Sequence, residues 1–152
     1  MQKDIFDRIM EFPGLRKLQP VYKKYKEILL YLFFGGLSFL VSIATYVWFN
    51  VGMGMNELLA NIISWVITVL FAFLTNRIWV FQSPTNGIKD FLKQMVAFYS
   101  GRLITLVVEE IILLVFITWL KFDSVLIKVI AQIIVIVLNY IISKLVIFKK
   151  EK

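Results

Sequence analysis

The sequence predicts an all-α integral membrane protein with four antiparallel transmembrane helices and a short N-terminal amphipathic helix. The first observation is composition, because 60% of the 152 residues are hydrophobic, whereas soluble domains average about 45–50%. The second is four long apolar segments, each near the roughly 20 residues that cross a bilayer as a helix. The third is that these segments lack the short alternating pattern of membrane β-barrel strands. The length then allows one domain with about four spans and no separate catalytic domain.

Residues 1–26 form the polar part of the chain and carry seven of its 17 Lys and Arg residues. Within them, Ile5, Phe6 and Ile9 recur at helical spacing until Pro13 ends the pattern. The spacing predicts a short amphipathic helix that lies on the membrane surface, and a disordered tail is the alternative. No early apolar stretch typical of a signal peptide is present in this segment.

The four apolar segments define the predicted transmembrane domain, which covers residues 27–149. The first segment carries no charge, whereas the third contains Arg102, Glu109 and Glu110. The connections between segments are short and contain turn residues, so consecutive helices are expected to be antiparallel neighbours. The four helices are predicted at about 28–49, 58–78, 95–120 and 125–148.

The distribution of Lys and Arg predicts the orientation in the membrane. Fourteen of the 17 flank one side, in the N-terminal segment, around the loop at 82–94 and at the C-terminal end. Lys121 and Lys128 flank the other side. The positive-inside rule therefore places both termini and the middle loop in the cytoplasm. The net charge of +7 is then explained by orientation and contact with anionic membrane lipids, and no nucleic-acid partner is expected at this apolar content.

Several kinds of chemistry are excluded by residue types that the sequence lacks. The chain has no Cys and no His, which removes disulfides, thiolate zinc sites and the commonest general base. The adjacent Glu109 and Glu110 diverge by about 100° on a helix, so they cannot form a facing acid–base pair. No phosphate-binding loop of the G-x-x-x-x-G-K-[ST] type occurs. We therefore expect no enzyme activity, no cofactor and no ATPase of the chain's own.

The ends of the second and fourth segments, residues 72–81 and 139–148, resemble each other. Each contains an aromatic residue, a cation four positions later (Arg77 or Lys144), and an apolar run that ends in Phe. This similarity predicts two parallel repeats of two helices each. The alternative is that both helices simply end in an interfacial belt of aromatic and basic residues.

Several motifs occur in order along the chain: a basic stretch before the first helix, Gly35-Gly36, the run from Asn76 to Phe81, Arg102 in a polar third helix, and Asn139-Tyr140 followed by Lys144 and Phe148. This ordered set resembles the GtrA family of small four-helix bacterial membrane proteins over about residues 27–149. The resemblance implies a role in glycosylating cell-surface polysaccharide or teichoic acid by flipping a polyprenyl-phosphate-linked sugar across the bacterial cytoplasmic membrane. It also implies the alternative that the chain only supports a partner membrane glycosyltransferase.

Each predicted helix carries one narrow polar stripe when its residues are projected at about 100° per residue. For the hydroxyl residues Ser38, Ser42, Ser64 and Thr68, helix packing is the favoured explanation. Charged and amide groups are costly against lipid and are not needed for packing, so we expect them to line a substrate pathway. The candidate substrate-binding residues are Asn76, Arg77, Arg102, Glu109, Glu110, Lys128, Gln132, Asn139 and Lys144.

A lipid-linked sugar requires a cation for its phosphate and amides or carboxylates for its hydroxyl groups. We expect Arg102 to contact the phosphate, Glu109 to contact the sugar, and Glu110 to face a neighbouring helix or subunit. A purely structural ion pair of Arg102 with Glu109 is the alternative. Arg77 and Lys144 occupy matching places in the repeat and are expected to recruit the phosphate at the cytoplasmic face. Interfacial anchoring is the alternative for these two cations.

Two further expectations concern assembly and class. Four thin helices barely enclose a pathway, so a homo-oligomer is expected. A small proton-coupled multidrug exporter is an alternative of similar size. Such exporters carry a buried carboxylate in the first helix, and this chain has none there after Glu27.

Overall fold

The computed structural model describes residues 4–83 and 87–148, apart from the side chains at positions 57, 58, 124, 125 and 128. All the regular structure in these residues is helical. The chain divides into two compact units, Met1–Gln82 and Ser83–Lys152, and each is an antiparallel helical hairpin, as the short connections predict.

The first hairpin pairs a long helix, α2, with a second apolar helix, α3. The stacked rings of Phe34 and Trp79, 5.3 Å apart, lie near one end of the pair. The hydroxyls of Thr45 and Ser64, 2.8 Å apart, lie toward the other end. The two helices therefore run in opposite directions. The elements are α1 (Ile5–Ile9), a 3₁₀ turn (Arg16–Leu18), α2 (Gln19–Val47) continued by a π-helical segment π1 (Trp48–Gly52), and α3 (Glu57–Thr75) continued by π2 (Asn76–Val80).

The second hairpin pairs α4 (Ile88–Leu113), continued by π3 (Leu114–Trp119), with α5 (Ser124–Ile142), continued by π4 (Ser143–Ile147). The helices approach each other closely at Gly101, where an added Cβ would lie 3.2 Å from Cγ2 of Ile142. That distance is shorter than an ordinary van der Waals contact, so Ile142 would have to move by a few tenths of an ångström to admit a methyl group. Gly101 therefore favours close packing of α4 on α5.

One helix begins well before its predicted transmembrane segment, since α4 starts at Ile88 and its apolar run predicts a start near residue 95. The α2 helix starts at Gln19, but a kink at Tyr25, with φ −115° and ψ 15°, interrupts it, so its apolar part begins close to the predicted residue 28. Pro20 lies in the first turn of α2, where its missing N–H breaks no helical hydrogen bond. Lys and Gln are good helix formers, so α4 continues through polar sequence. The limits of an apolar run thus mark the hydrocarbon region and not the helix ends.

Three helices of the described residues are long and apolar enough to cross a membrane: Arg16–Gly52, Leu59–Val80 and Val129–Ile147. They correspond to the first, second and fourth predicted spans, so the chain is a membrane protein. The helix formed by α4 and π3 contains Arg102, Glu109 and Glu110 and is not one of the three. Four membrane crossings therefore stay a prediction.

The two hairpins end in the same local structure. The π2 segment begins at Asn76 and π4 at Ser143, and these are equivalent positions in the sequence alignment of 72–81 with 139–148. In each, the N–H of the closing Phe donates to the carbonyl five residues earlier, at 2.8 Å for Phe81 and 2.8 Å for Phe148. Both rings are buried. This agreement favours the repeat, which stays a prediction for the chain as a whole.

The N-terminal segment is helical at the predicted place, and it packs against α2. The ring of Phe6 lies 5.6 Å from the ring of Phe34 and 5.9 Å from that of Phe33 in edge-to-face geometry. The Asp4 side chain caps the helix by accepting from the N–H of Asp7. Hence α1 contacts its own hairpin through Phe6, while Ile5 and Ile9 are exposed, at 63% and 44%.

Candidate functional site

The most polar part of the second hairpin lies on one face of α4. Thr105 and Glu109 are buried, at 2% and 8% exposure, and Arg102 is half-buried with its guanidinium 5.0 Å from the centre of the Phe98 ring. Spacings of three, four and seven residues place these side chains on the same side of the helix. The structure therefore agrees with the predicted orientation of Arg102 and Glu109.

Asn139 of α5 joins this face through a buried hydrogen bond. The Thr105 hydroxyl lies 2.9 Å from Oδ1 of Asn139 and donates to it, and the same hydroxyl lies 3.1 Å from the carbonyl oxygen of Arg102. The hydrogen bond leaves the amide nitrogen of Asn139 as a donor. We call the set of Arg102, Thr105, Glu109 and Asn139 the polar cluster of the second hairpin.

The polar cluster combines groups that match two kinds of ligand atom. The Arg102 guanidinium is a fixed positive charge with several donors, which suits an anionic oxygen. The carboxylate of Glu109 accepts hydrogen bonds and the Asn139 amide donates them, which suits hydroxyl groups. Within the described residues, no three His, Cys, Asp or Glu side chains are grouped so as to hold a metal ion.

Other predicted site residues of this hairpin lie away from the cluster. Glu110 and Gln132 are exposed, so the structure does not bring them to Glu109 and Asn139. Lys144 is exposed and donates to the Tyr140 hydroxyl at 3.1 Å. The side chain of Lys128 lies outside the described residues. Gln132 is predicted to lie on the inward-facing stripe with Asn139, but its side chain is exposed, since burial also requires a neighbouring helix at that depth.

In the first hairpin, Asn76 is the most buried of the predicted site residues, at 2% exposure. Its amide nitrogen donates to the carbonyl oxygen of Ala72 at 2.7 Å. Its Oδ1 atom is buried and has no hydrogen-bond partner among the described residues. Arg77 follows as the second residue of π2 and is half-buried. Asn76 therefore carries an acceptor that the hairpin itself does not satisfy.

One of the hydroxyl residues expected to act in helix packing, Ser64, joins the two helices of the first hairpin. The Ser64 hydroxyl, which is 1% exposed, lies 2.7 Å from the carbonyl oxygen of Ser42 and 2.8 Å from the Thr45 hydroxyl. The Ser38 hydroxyl donates to the Phe34 carbonyl within the same helix. Small hydroxyl residues of this kind join helices in membranes.

Sequence reasoning did not find two polar interactions, one in the polar cluster and one at the start of the first hairpin. It gave Thr105 no role, although the position of Thr105 three residues from Arg102 was the available signal. It also gave no partner to Lys26, whose ammonium lies 2.7 Å from carboxylate oxygens of both Asp4 and Asp7. Burial alone would raise the pKa of Asp7, but hydrogen bonds and the charge of Lys26 outweigh it and lower that pKa below its usual 3.8.

Comparisons with known proteins identify relatives along most of the chain. The transmembrane-domain family described as GtrA/DPMS matches residues 30–148. The cell wall teichoic acid glycosylation protein GtcA of Listeria monocytogenes serovar 1/2a is 34% identical over 126 residues, which cover 83% of this chain and 87% of that protein. GtcA of Listeria innocua serovar 6a is also 34% identical over 126 residues. The uncharacterized membrane protein YwcD of Bacillus subtilis is 29% identical over 123 residues, 81% of this chain and 97% of that protein.

Proposed function

This chain belongs to the GtrA/DPMS transmembrane-domain family, and from that premise we propose that it moves a polyprenyl-phosphate-linked monosaccharide across the bacterial cytoplasmic membrane. The sugar would serve the glycosylation of a cell-wall polymer such as teichoic acid, the process named in its Listeria relatives. The observation that carries the proposal is the polar cluster of the second hairpin, because ionisable groups within membrane helices are expensive and mark substrate pathways.

The chemistry of the cargo fits this cluster. The polyprenyl tail stays in lipid, so only the phosphate and the sugar have to pass the apolar region. In our proposal Arg102 binds the phosphate, while Glu109 and the amide nitrogen of Asn139 bind sugar hydroxyls. The exposed Glu110 faces a neighbouring helix or a second copy in a homo-oligomer. Thr105 keeps the Asn139 amide in one orientation.

Recruitment would take place at the cytoplasmic ends of the second and fourth spans. We propose that both termini are cytoplasmic, which puts Arg77 and Lys144 where a lipid phosphate made inside the cell would arrive. The unsatisfied Oδ1 of Asn76, next to Arg77, would accept from a sugar hydroxyl there. The chain acts as a translocator and not as an enzyme, and membrane glycosyltransferases would make and consume the lipid-linked sugar.

Reconstitution of the pure protein in liposomes with a polyprenyl-phosphate sugar tests this proposal, with head-group accessibility measured on each face. Arg102→Gln and Glu109→Gln should each slow transfer by about tenfold or more, since each removes a charge-assisted hydrogen bond. Lys121→Gln, which removes an exposed cation outside the cluster, is the control and should leave the rate unchanged. Equal rates for all three variants would contradict the proposal.

A charge swap separates substrate binding from a structural ion pair. The double substitution Arg102→Glu with Glu109→Arg keeps both charges on the same face but exchanges the groups offered to phosphate and sugar. We expect transfer to stay lost in the double variant. Restored transfer would show that the pair is structural and that the substrate roles are wrong.

A non-transporting partner of a glycosyltransferase is the second candidate function. Its support is that the names of the Listeria relatives state glycosylation and not transport. In that case the protein alone would leave head-group accessibility unchanged in liposomes. It would instead raise the transfer rate of a glycosyltransferase reconstituted with it.

A further inference from the structure

The start of the chain is held on the first hairpin by a compact set of charged and polar groups. The ammonium of Lys26 lies 2.7 Å from Oδ2 of Asp4 and 2.7 Å from Oδ2 of Asp7. The amide nitrogen of Gln82, just after π2, donates to the same Asp4 oxygen at 3.2 Å. We call Asp4, Asp7, Lys26 and Gln82 the N-terminal clamp.

The two carboxylates of the clamp are presented by a helix that cannot persist alone. The α1 helix has five residues, and helices this short are unstable in water without tertiary contacts. A reciprocal capping box ties Asp4 to Asp7, with hydrogen bonds of 2.9 and 3.1 Å. Beyond the clamp, α1 is held by the contacts of Phe6 with Phe33 and Phe34. The carboxylates therefore act as a tethered anion whose position depends on a few contacts.

The groups that receive this anion are donors from two different elements of the first hairpin. Lys26 comes from α2 and Gln82 follows π2, and both contact one carboxylate oxygen. Tyr22, four residues before Lys26, is 7% exposed, and burial together with the nearby Asp7 carboxylate raises the pKa of its hydroxyl to about 12, so the hydroxyl stays protonated as a donor. Its ring centre lies 5.8 Å from the Lys26 ammonium. An ammonium, an amide and a phenol together suit a phosphate group, which has more acceptor oxygens than a carboxylate.

The position of this donor set along the chain indicates where the anion comes from. Lys26 precedes by two residues the uncharged run that begins at Ile28. A cation at the edge of an apolar helix lies at the depth of lipid phosphates. A lipid phosphate, unlike a soluble one, is held at that depth by its acyl or prenyl chains.

We propose that Tyr22, Lys26 and Gln82 form a binding site for the phosphate of a membrane lipid, which Asp4 and Asp7 occupy when no lipid is bound. Lipid phosphate and the α1 carboxylates then compete for the same donors. A tethered competitor acts at an effective concentration in the millimolar range, so the lipid displaces it only when locally abundant. Binding of the lipid releases α1 from α2. This inference rests on the proposed function in one respect, which is that polyprenyl phosphate is chosen as one of the lipids.

Binding measurements on the full chain test the competition. The probes are polyprenyl phosphate in phosphatidylcholine vesicles, phosphatidylglycerol in the same vesicles, and inorganic phosphate with vesicles of phosphatidylcholine alone. Asp4→Asn with Asp7→Asn removes the competing charges but keeps Asn as a good helix cap. This double variant should bind at least one of the lipids about tenfold more tightly than the natural chain.

Substitution of the cation tests the donor side. Lys26→Gln should weaken lipid binding by about tenfold or more, and Lys26→Arg should restore most of it, because both Lys and Arg bind phosphate. Lys23→Gln, an exposed cation on the same turn of α2, is the matched control and should change binding by less than about twofold. Unchanged lipid affinity in both the Asp4/Asp7 and the Lys26 variants would overturn the inference. Binding of inorganic phosphate with no binding of either lipid would also overturn it.

Release of α1 is measured directly with two spin labels, since the chain has no cysteine. Ile9→Cys and Val21→Cys lie at positions that are 44% and 55% exposed, and both belong to the first hairpin. The distribution of distances between the two labels should be narrow in phosphatidylcholine vesicles and should broaden when polyprenyl phosphate or phosphatidylglycerol is added. A distribution that stays narrow with saturating lipid would contradict the competition. Sugar transfer is scored separately, so lost transfer with intact release refutes only the proposed function.

Discussion

Replacing Thr105 by Val removes the one hydroxyl that joins α4 to Asn139 while keeping a side chain of almost the same shape. The Thr105 hydroxyl and Oδ1 of Asn139 lie 2.9 Å apart, with both residues buried, at 2% and 7% exposure. The substitution leaves no new cavity, so its cost comes from an amide oxygen that loses its donor. In soluble proteins this costs about 1–3 kcal/mol, but side-chain hydrogen bonds in membranes average about 0.6 and reach about 1.7 kcal/mol. We expect about 1 kcal/mol.

A double-mutant cycle isolates this hydrogen bond from the second contact of the hydroxyl, with the carbonyl of Arg102. Thr105→Val, Asn139→Ala and the double variant are unfolded with denaturing detergent, and stability is followed through Trp119. This is the one Trp after residue 82, and Phe replaces the other three in the background. A coupling of about 0.5–1.5 kcal/mol is expected, and Thr105→Ser should retain most of the stability. Additivity within about 0.3 kcal/mol would refute the role given to Thr105.

Three further predictions follow from other contacts. Gly101→Leu should separate α4 from α5 and destabilise the second hairpin by about 1–3 kcal/mol, whereas Gly101→Ala should cost less; equal detergent stability of both would contradict the close approach. Because the pKa of Asp7 is lowered on folding, the Asp7 carboxylate stabilises the folded contact of α1 with α2 above pH 3.8. This stabilisation is lost as the pH falls below that value. A label on α1 should therefore become mobile in acid, and in Asp7→Asn it should be mobile at neutral pH, where Lys26 has lost one partner. Gln in place of Arg77 or Lys144 should weaken polyprenyl-phosphate binding more than membrane insertion, and unchanged binding with normal expression would leave only an anchoring role.

The sequence by itself determined the class of the protein and the direction of most polar side chains. Long apolar runs are required by bilayer thickness, so the helical membrane architecture follows from composition and segment length. The helical period then placed Arg102, Thr105 and Glu109 on one side of α4. Both inferences depend on residues close together in the chain, which is why they needed no knowledge of neighbouring helices.

The tertiary structure decided which of these groups meet. Asn139 lies 34 residues from its partner Thr105, and Gln82 lies 78 residues from Asp4, so no local pattern specifies either contact. Gln132 shows the same limit, because its spacing from Asn139 places it on the same side of α5 but its side chain is exposed. Periodicity fixes an angle around one helix axis. Burial and pairing also depend on where a second helix lies along that axis, and only the packed hairpins supply that position.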